Sequence, residues 1–111
     1  DYVFSADATQ PVPVMEKIAE LTNGEMCDIT INNVNITDTE MTSILCTKND
    51  GLVYFFSMAT SFTKAALGAE GVGSDVTMIV GNGYTKGHAE ITLQELRESE
   101  ALRKIFTELY A

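Results

Sequence analysis

Ser57, Thr60, Ser61 and Thr63 bring four hydroxyls within seven residues, and Lys64 adds a positive charge directly after them. At a strand-to-helix turn, such a group suits a phosphate. Backbone N–H groups and hydroxyls donate, the helix dipole presents its positive end, and lysine supplies charge. The same residues also read as a Ser/Thr-capped helix followed by a solvated lysine. Other chemistry is harder to assemble. His88 is the sole histidine, and no Ser or Cys nucleophile with a base and an orienting acid can be built around it. Cys27 and Cys46 lack metal-ligand spacing, so a zinc site is not expected, and small buried hydrophobes is the expected role for both. Residues 68–73 (Gly-Ala-Glu-Gly-Val-Gly) are glycine-rich, but no expected strand leads into them and no helix follows. A phosphate-cradling loop needs both. Asn35-Ile36-Thr37 matches a glycosylation acceptor, a pattern frequent by chance.

The elements that would position these residues follow from periodicity and turn signals. Residues 1–11 read as an irregular arm. Pro11 and Pro13 bracket a helix start, Val14, Ile18 and Leu21 recur at helical spacing, and Asn23-Gly24 supplies a stop. Residues 26–36 begin in alternation, Cys27, Ile29 and Ile31 against Asp28, Thr30 and Asn32, which predicts a half-buried strand with a bulge or turn near Asn32-Asn33. Residues 42–47 and 52–57 are expected as the next two strands, joined by a hairpin at Lys48-Asn49-Asp50-Gly51. Tyr54, Phe55 and Phe56 make an apolar strand centre, core before stacking platform. A helix over 59–67, a strand over 76–80, a turn at Gly81-Asn82-Gly83 and a strand over 84–92 come next. From Leu93 the pattern is helical, with Leu96, Leu102, Ile105, Phe106 and Leu109 as an apolar stripe.

Length and charge bound the rest. One domain, 1–111, accommodates this chain. A net charge of −9 with seven scattered basic residues argues against nucleic acid. No apolar run approaches the roughly 18–20 residues of a membrane span. Residues 1–14 carry no Lys or Arg, which is unlike a signal segment, so a cytoplasmic setting is expected.

Three stretches in order carry a resemblance: Glu40-Met41-Thr42, then residues 50–57 (Asp-Gly-Leu-Val-Tyr-Phe-Phe-Ser), then Ser61 and Lys64. Residues 76–80 followed by Gly87-His88-Ala89-Glu90-Ile91 extend it. Together they resemble the flavin-binding split-barrel family that includes the pyridoxamine phosphate oxidases, over about residues 26–92. The resemblance implies an α+β, mainly β fold: an antiparallel split barrel of five to six strands with flanking helices. It also implies a homodimer with flavin mononucleotide (FMN) in an interface groove, and an oxidoreductase moving hydride or electrons through the flavin. Ser57, Thr60, Ser61, Thr63 and Lys64 would hold the phosphate, and Met41, Thr42 and Ser43 would line the ring. Thr39-Glu40 stands where the family usually places an arginine, which leaves the phosphate charge to Lys64. The alternative is a non-enzymatic split-barrel dimer that binds another small ligand or a protein partner.

Overall fold

A computed structural model describes residues 1–81, 83 and 85–110. The elements run α1 (Pro11–Thr22), β1 (Cys27–Asn32), α2 (Glu40–Leu45), β2 (Thr47–Phe55), α3 (Phe62–Gly71), β3 (Thr77–Val80), α4 (His88–Glu98) and α5 (Glu100–Tyr110). The three strands form one sheet in the order β1-β2-β3, and both pairings are parallel. This is an open α/β sheet, and the antiparallel split barrel is overturned.

The physical reason lies in residues 40–47. Thr42 and Ile44 are β-branched and suggest a strand, but Met41, Ile44 and Leu45 fall at i, i+3 and i+4, a helical stripe. That stripe folds as α2, which buries Ile44. A helix between β1 and β2 carries the chain back along the sheet, so β2 enters parallel to β1. The Asp50-Gly51 signal is real in conformation and different in consequence. Asp50 has φ 65°, yet β2 continues through it. The register jumps from Cys27↔Thr47 to Ile29↔Leu52, so residues 48–50 bulge outward where a hairpin was expected. Asp50 donates its N–H to the Asp75 carbonyl (2.6 Å), and Asp75 donates to Asn49 Oδ1 (3.1 Å), which ties the bulge to the approach of β3.

α1 starts at Pro11 and stops at Asn23 in the left-handed conformation (φ 54°), as its punctuation predicts. α3 extends four residues beyond the expected 67 and absorbs much of the glycine-rich segment. Gly73 (φ 66°) follows it, donating to the Glu70 carbonyl. The strand expected over 84–92 is overturned where it is described: from His88 the chain is α4, with Gly87 (φ 85°) as its cap. Asn82 and Tyr84, from the expected turn and strand, lie outside the described residues. The single C-terminal helix expected from Leu93 is two. Arg103 of α5 donates to the Leu96 and Arg97 carbonyls, both at 2.8 Å, and so fixes the joint.

In a parallel sheet, residues in register share a face. Val53 and Phe55 therefore lie on the same side as Met78, and this side is covered by α2 and α3 through Ile44, Ala65 and Ala69. The small side chains Ala65 and Ala69, one turn apart, let α3 approach the sheet closely. Gly68 lets α3 approach α2: a Cβ there would sit 3.0 Å from Met41 Cε. The opposite face carries Ile29, Leu52 and Thr77 in one row and Ile31, Tyr54 and Ile79 in the next. Ile31 is 66% exposed, and Ile29 and Ile79 are also open to solvent. Among the described residues no helix is long and apolar enough to cross a membrane.

Candidate functional site

All three strands point their carboxyl ends to one edge, and the helices that follow β1 and β2 begin there. Ligands of open α/β sheets bind outside this edge. The sequence builds it from polar residues packed against one another. Asn32, the last residue of β1, is buried. Its Nδ2 donates to Thr39 Oγ1 and Ser43 Oγ, both at 2.9 Å, and its Oδ1 accepts from Val34 N (3.1 Å). One amide thus holds the loop of residues 33–39 against the sheet. The Asn32 carbonyl also accepts from Phe56 N (2.8 Å), which joins the ends of β1 and β2.

Glu40, the first residue of α2, is only 3% exposed. Its Oε2 accepts from the Ser61 N–H (3.2 Å), so the start of α2 is tied to the cap of α3. Ser61 Oγ in turn accepts from Lys64 N (3.3 Å). The Lys64 ammonium pairs with Asp38, a residue held at φ 66° just ahead of α2. The hydrogen bond to Asp38, and then its charge, raises Lys64 above the ordinary 10.5. These groups surround a cavity of about 420 Å³ lined by Asp38, Glu40, Met41, Thr63, Lys64, Leu67 and Gly68. Two carboxylates and one ammonium thus sit above an apolar floor.

The eight residues singled out in the sequence divide between this cavity and the packing beneath it. Met41, Thr63 and Lys64 line the cavity. Thr42 and Ser43 are buried. The Thr42 hydroxyl donates to the Ala8 carbonyl (2.6 Å), and the Ser43 hydroxyl accepts from Asn32 and donates to the Thr39 carbonyl (3.3 Å). Ser57 Oγ accepts from Ala59 N (3.1 Å), and the Thr60 N–H donates to the Ser57 carbonyl (3.1 Å), closing the turn after β2. Ser57, Thr60, Ser61 and Thr63 lie at or just before the start of α3, with Ser61 as its cap. Asn32, Asp38 and Glu40 were missed as members of the site. For Asp38 and Glu40 the signal was acidic residues at a helix start, since Asp38-Thr39-Glu40 leads into the α2 stripe; Asn32 carried none beyond its place at the end of a strand.

Elsewhere, a cavity of about 490 Å³ runs between α3 and β3, and one of about 380 Å³ lies between the N-terminal arm and α1. The first is lined without a charged residue, by Phe62, Ala65, Ala66, Met78, Ile79 and Val80. The second brings one acid, Asp7, and one cation, Lys17, beside an apolar arm, against two acids and a cation in the α2–α3 cavity. Cys27 and Cys46 are both free thiols. No group of three metal-ligating side chains occurs among the described residues.

No protein-family model matches the chain. It is 64% identical over 110 residues to L-erythro-3,5-diaminohexanoate dehydrogenase of Acetoanaerobium sticklandii, covering 99% of this chain and 32% of that protein. It is 60% identical over 108 residues to the enzyme of the same name from Fusobacterium nucleatum subsp. nucleatum, covering 97% of this chain and 31% of that one. The chain thus spans about a third of the length of the curated relatives it matches. Both relatives carry the name of a dehydrogenase of a diamino acid. Together with the parallel sheet, this overturns the resemblance to flavin-binding split barrels and the pyridoxamine phosphate oxidase-like function drawn from it.

Proposed function

We propose that this chain is part of a dehydrogenase that oxidises a short diamino acid, with a nicotinamide dinucleotide as hydride acceptor. The observation that carries the reading is identity of 60% or more to two diaminohexanoate dehydrogenases across nearly the whole chain. The geometry is compatible with it, because parallel strands ending at a polar edge beside helix N-termini are where open α/β sheets hold ligands. The exits of β1 and β2 do not fit a dinucleotide's pyrophosphate, whereas the residues after β3 have the composition it calls for. That composition is a glycine-rich turn joining a strand to a helix: β1 leads into Asn33-Val34-Asn35 and β2 into Phe56-Ser57-Met58, while Gly81, Gly83 and Gly87 lie between β3 and α4. Beside β1 and β2 the chain contributes the polar edge itself. Asn32 and Glu40 fix the loops, and the Asp38–Lys64 pair offers charge beside them.

The test is a purified full-length protein containing this segment, mixed with L-erythro-3,5-diaminohexanoate and either NAD⁺ or NADP⁺. Substrate-dependent appearance of reduced nicotinamide is expected. No reduction with either dinucleotide overturns the reading. The visible spectrum of the same preparation tests for flavin: absorbance bands of a bound flavin would assign the redox chemistry to FMN instead.

A further inference from the structure

The residues around the α2–α3 cavity match one kind of ligand in number, sign and setting. Asp38 and Glu40 are acids, Lys64 is a cation, and Met41, Leu67 and Gly68 supply an apolar floor. A diaminohexanoate carries two ammonium groups and one carboxylate on a short hydrocarbon chain, the complementary set. We infer that this cavity is the subsite that recognises the charged groups of the diamino acid, with Lys64 taking the carboxylate and Asp38 and Glu40 taking the ammonium groups. The inference rests on the dehydrogenase reading and assigns a place within it.

Three further observations support the assignment. The cavity, about 420 Å³, lies within the usual range for small-molecule sites, roughly 300–1,000 Å³. It opens at the starts of α2 and α3, and so at the carboxyl edge where the sheet would receive a ligand. The Asp38–Lys64 pair is more than half exposed on both sides, and an exposed pair contributes little to folding. Exchanging that pair for two ligand contacts therefore costs little: the carboxylate replaces Asp38 on Lys64, and an ammonium group replaces Lys64 on Asp38. Glu40 differs from Asp38 in being held in place by the Ser61 N–H, which makes it the fixed acid of the two.

Calorimetric titration of the full-length protein tests this without requiring turnover. The ligands are L-erythro-3,5-diaminohexanoate, 3-aminohexanoate (one ammonium fewer) and 2,4-diaminopentane (no carboxylate). Lys64→Gln should weaken diaminohexanoate about 10- to 100-fold, and should leave 2,4-diaminopentane no weaker. Asp38→Asn should remove most of the wild-type preference for diaminohexanoate over 3-aminohexanoate. Circular dichroism of each variant checks that it folds. Should Asp38→Asn disturb the loop, Asp38→Gly, which suits the positive φ and also removes the charge, should lose the preference as well. If the wild type binds no diaminohexanoate, or if Lys64→Gln binds both diamines as the wild type does, the subsite is wrong. If the ligand binds in the predicted pattern but no dinucleotide is reduced, the dehydrogenase reading fails and the subsite stands.

Discussion

A Cβ placed on Gly51 would lie 2.9 Å from the Asp28 carbonyl oxygen, closer than real Cβ atoms approach. It would also meet Thr47 Cγ2 at 2.6 Å and the Lys48 carbonyl at 2.8 Å. The bulge in β2 therefore depends on a residue without a side chain, and it brings the backbones of β1 and β2 together where their register shifts. Gly51→Ala should destabilise the chain by about 1–3 kcal/mol, the usual cost of forcing atoms into a packed site. Urea denaturation followed by circular dichroism would check it; an unchanged midpoint would mean that the bulge can open without loss.

The Glu40–Ser61 contact makes a second prediction. Glu40→Ala leaves a backbone N–H at the cap of α3 without its acceptor, which should cost about 1–3 kcal/mol. Glu40→Gln keeps an acceptor oxygen and should cost less. Hydrogen exchange at the Ser61 amide should accelerate in the alanine variant and stay closer to the wild type in the glutamine one.

Much of the secondary structure was legible because its signals were local. Pro11, Asn23-Gly24, the alternation from Cys27, and the unbroken apolar run of residues 52–56 each mark an element that the structure contains. Pairing was not legible, because it depends on what connects the strands. Once Thr42 and Ile44 suggested a strand, the crossover through α2 vanished and only hairpins remained to join the rest. The run of residues 52–56 carried the correct hint, since near-continuous apolar strands are typical of parallel sheets. The site was half legible for a similar reason. The hydroxyls near the start of α3 cluster in sequence, whereas Asp38 and Glu40 reach that place only through the fold.

Cys46 links burial to pH. Removal from water, and then the neighbouring Cys27, push its thiol up from 9.0 to about 11. Below pH 9 the thiol is neutral in folded and unfolded chains alike, and its burial favours folding. As pH rises from 9 through 11 the unfolded chain ionises first, so this contribution is lost. Lys48 and Lys64 are also raised, by Asp28 and Asp38 respectively, and lose their contributions in the same direction at higher pH. Comparing the wild type with Cys46→Ala separates the thiol: the alanine variant should show a shallower fall in urea midpoint between pH 9 and 11. At neutral pH a thiol reagent should modify the half-buried Cys27 before Cys46. Equal labelling of both in the folded state would contradict the burial of Cys46.

The two faces of the sheet should respond differently to mutation. Phe55 is fully buried beneath α2 and α3, and Phe55→Ala should cost about 3–5 kcal/mol. Ile31, one strand away on the opposite face, is 66% exposed, so Ile31→Lys in this 111-residue chain should change stability by only about 0.5 kcal/mol. Parallel sheets are ordinarily covered on both faces, so Ile29, Ile31, Tyr54 and Ile79 form an apolar surface unusual for this architecture. The chain expressed by itself should therefore bind a hydrophobic dye while retaining a cooperative unfolding transition, and Ile31→Lys should reduce that dye signal without shifting the transition. A large loss of stability from Ile31→Lys would show that this face is packed in solution, and the open-face description would fall.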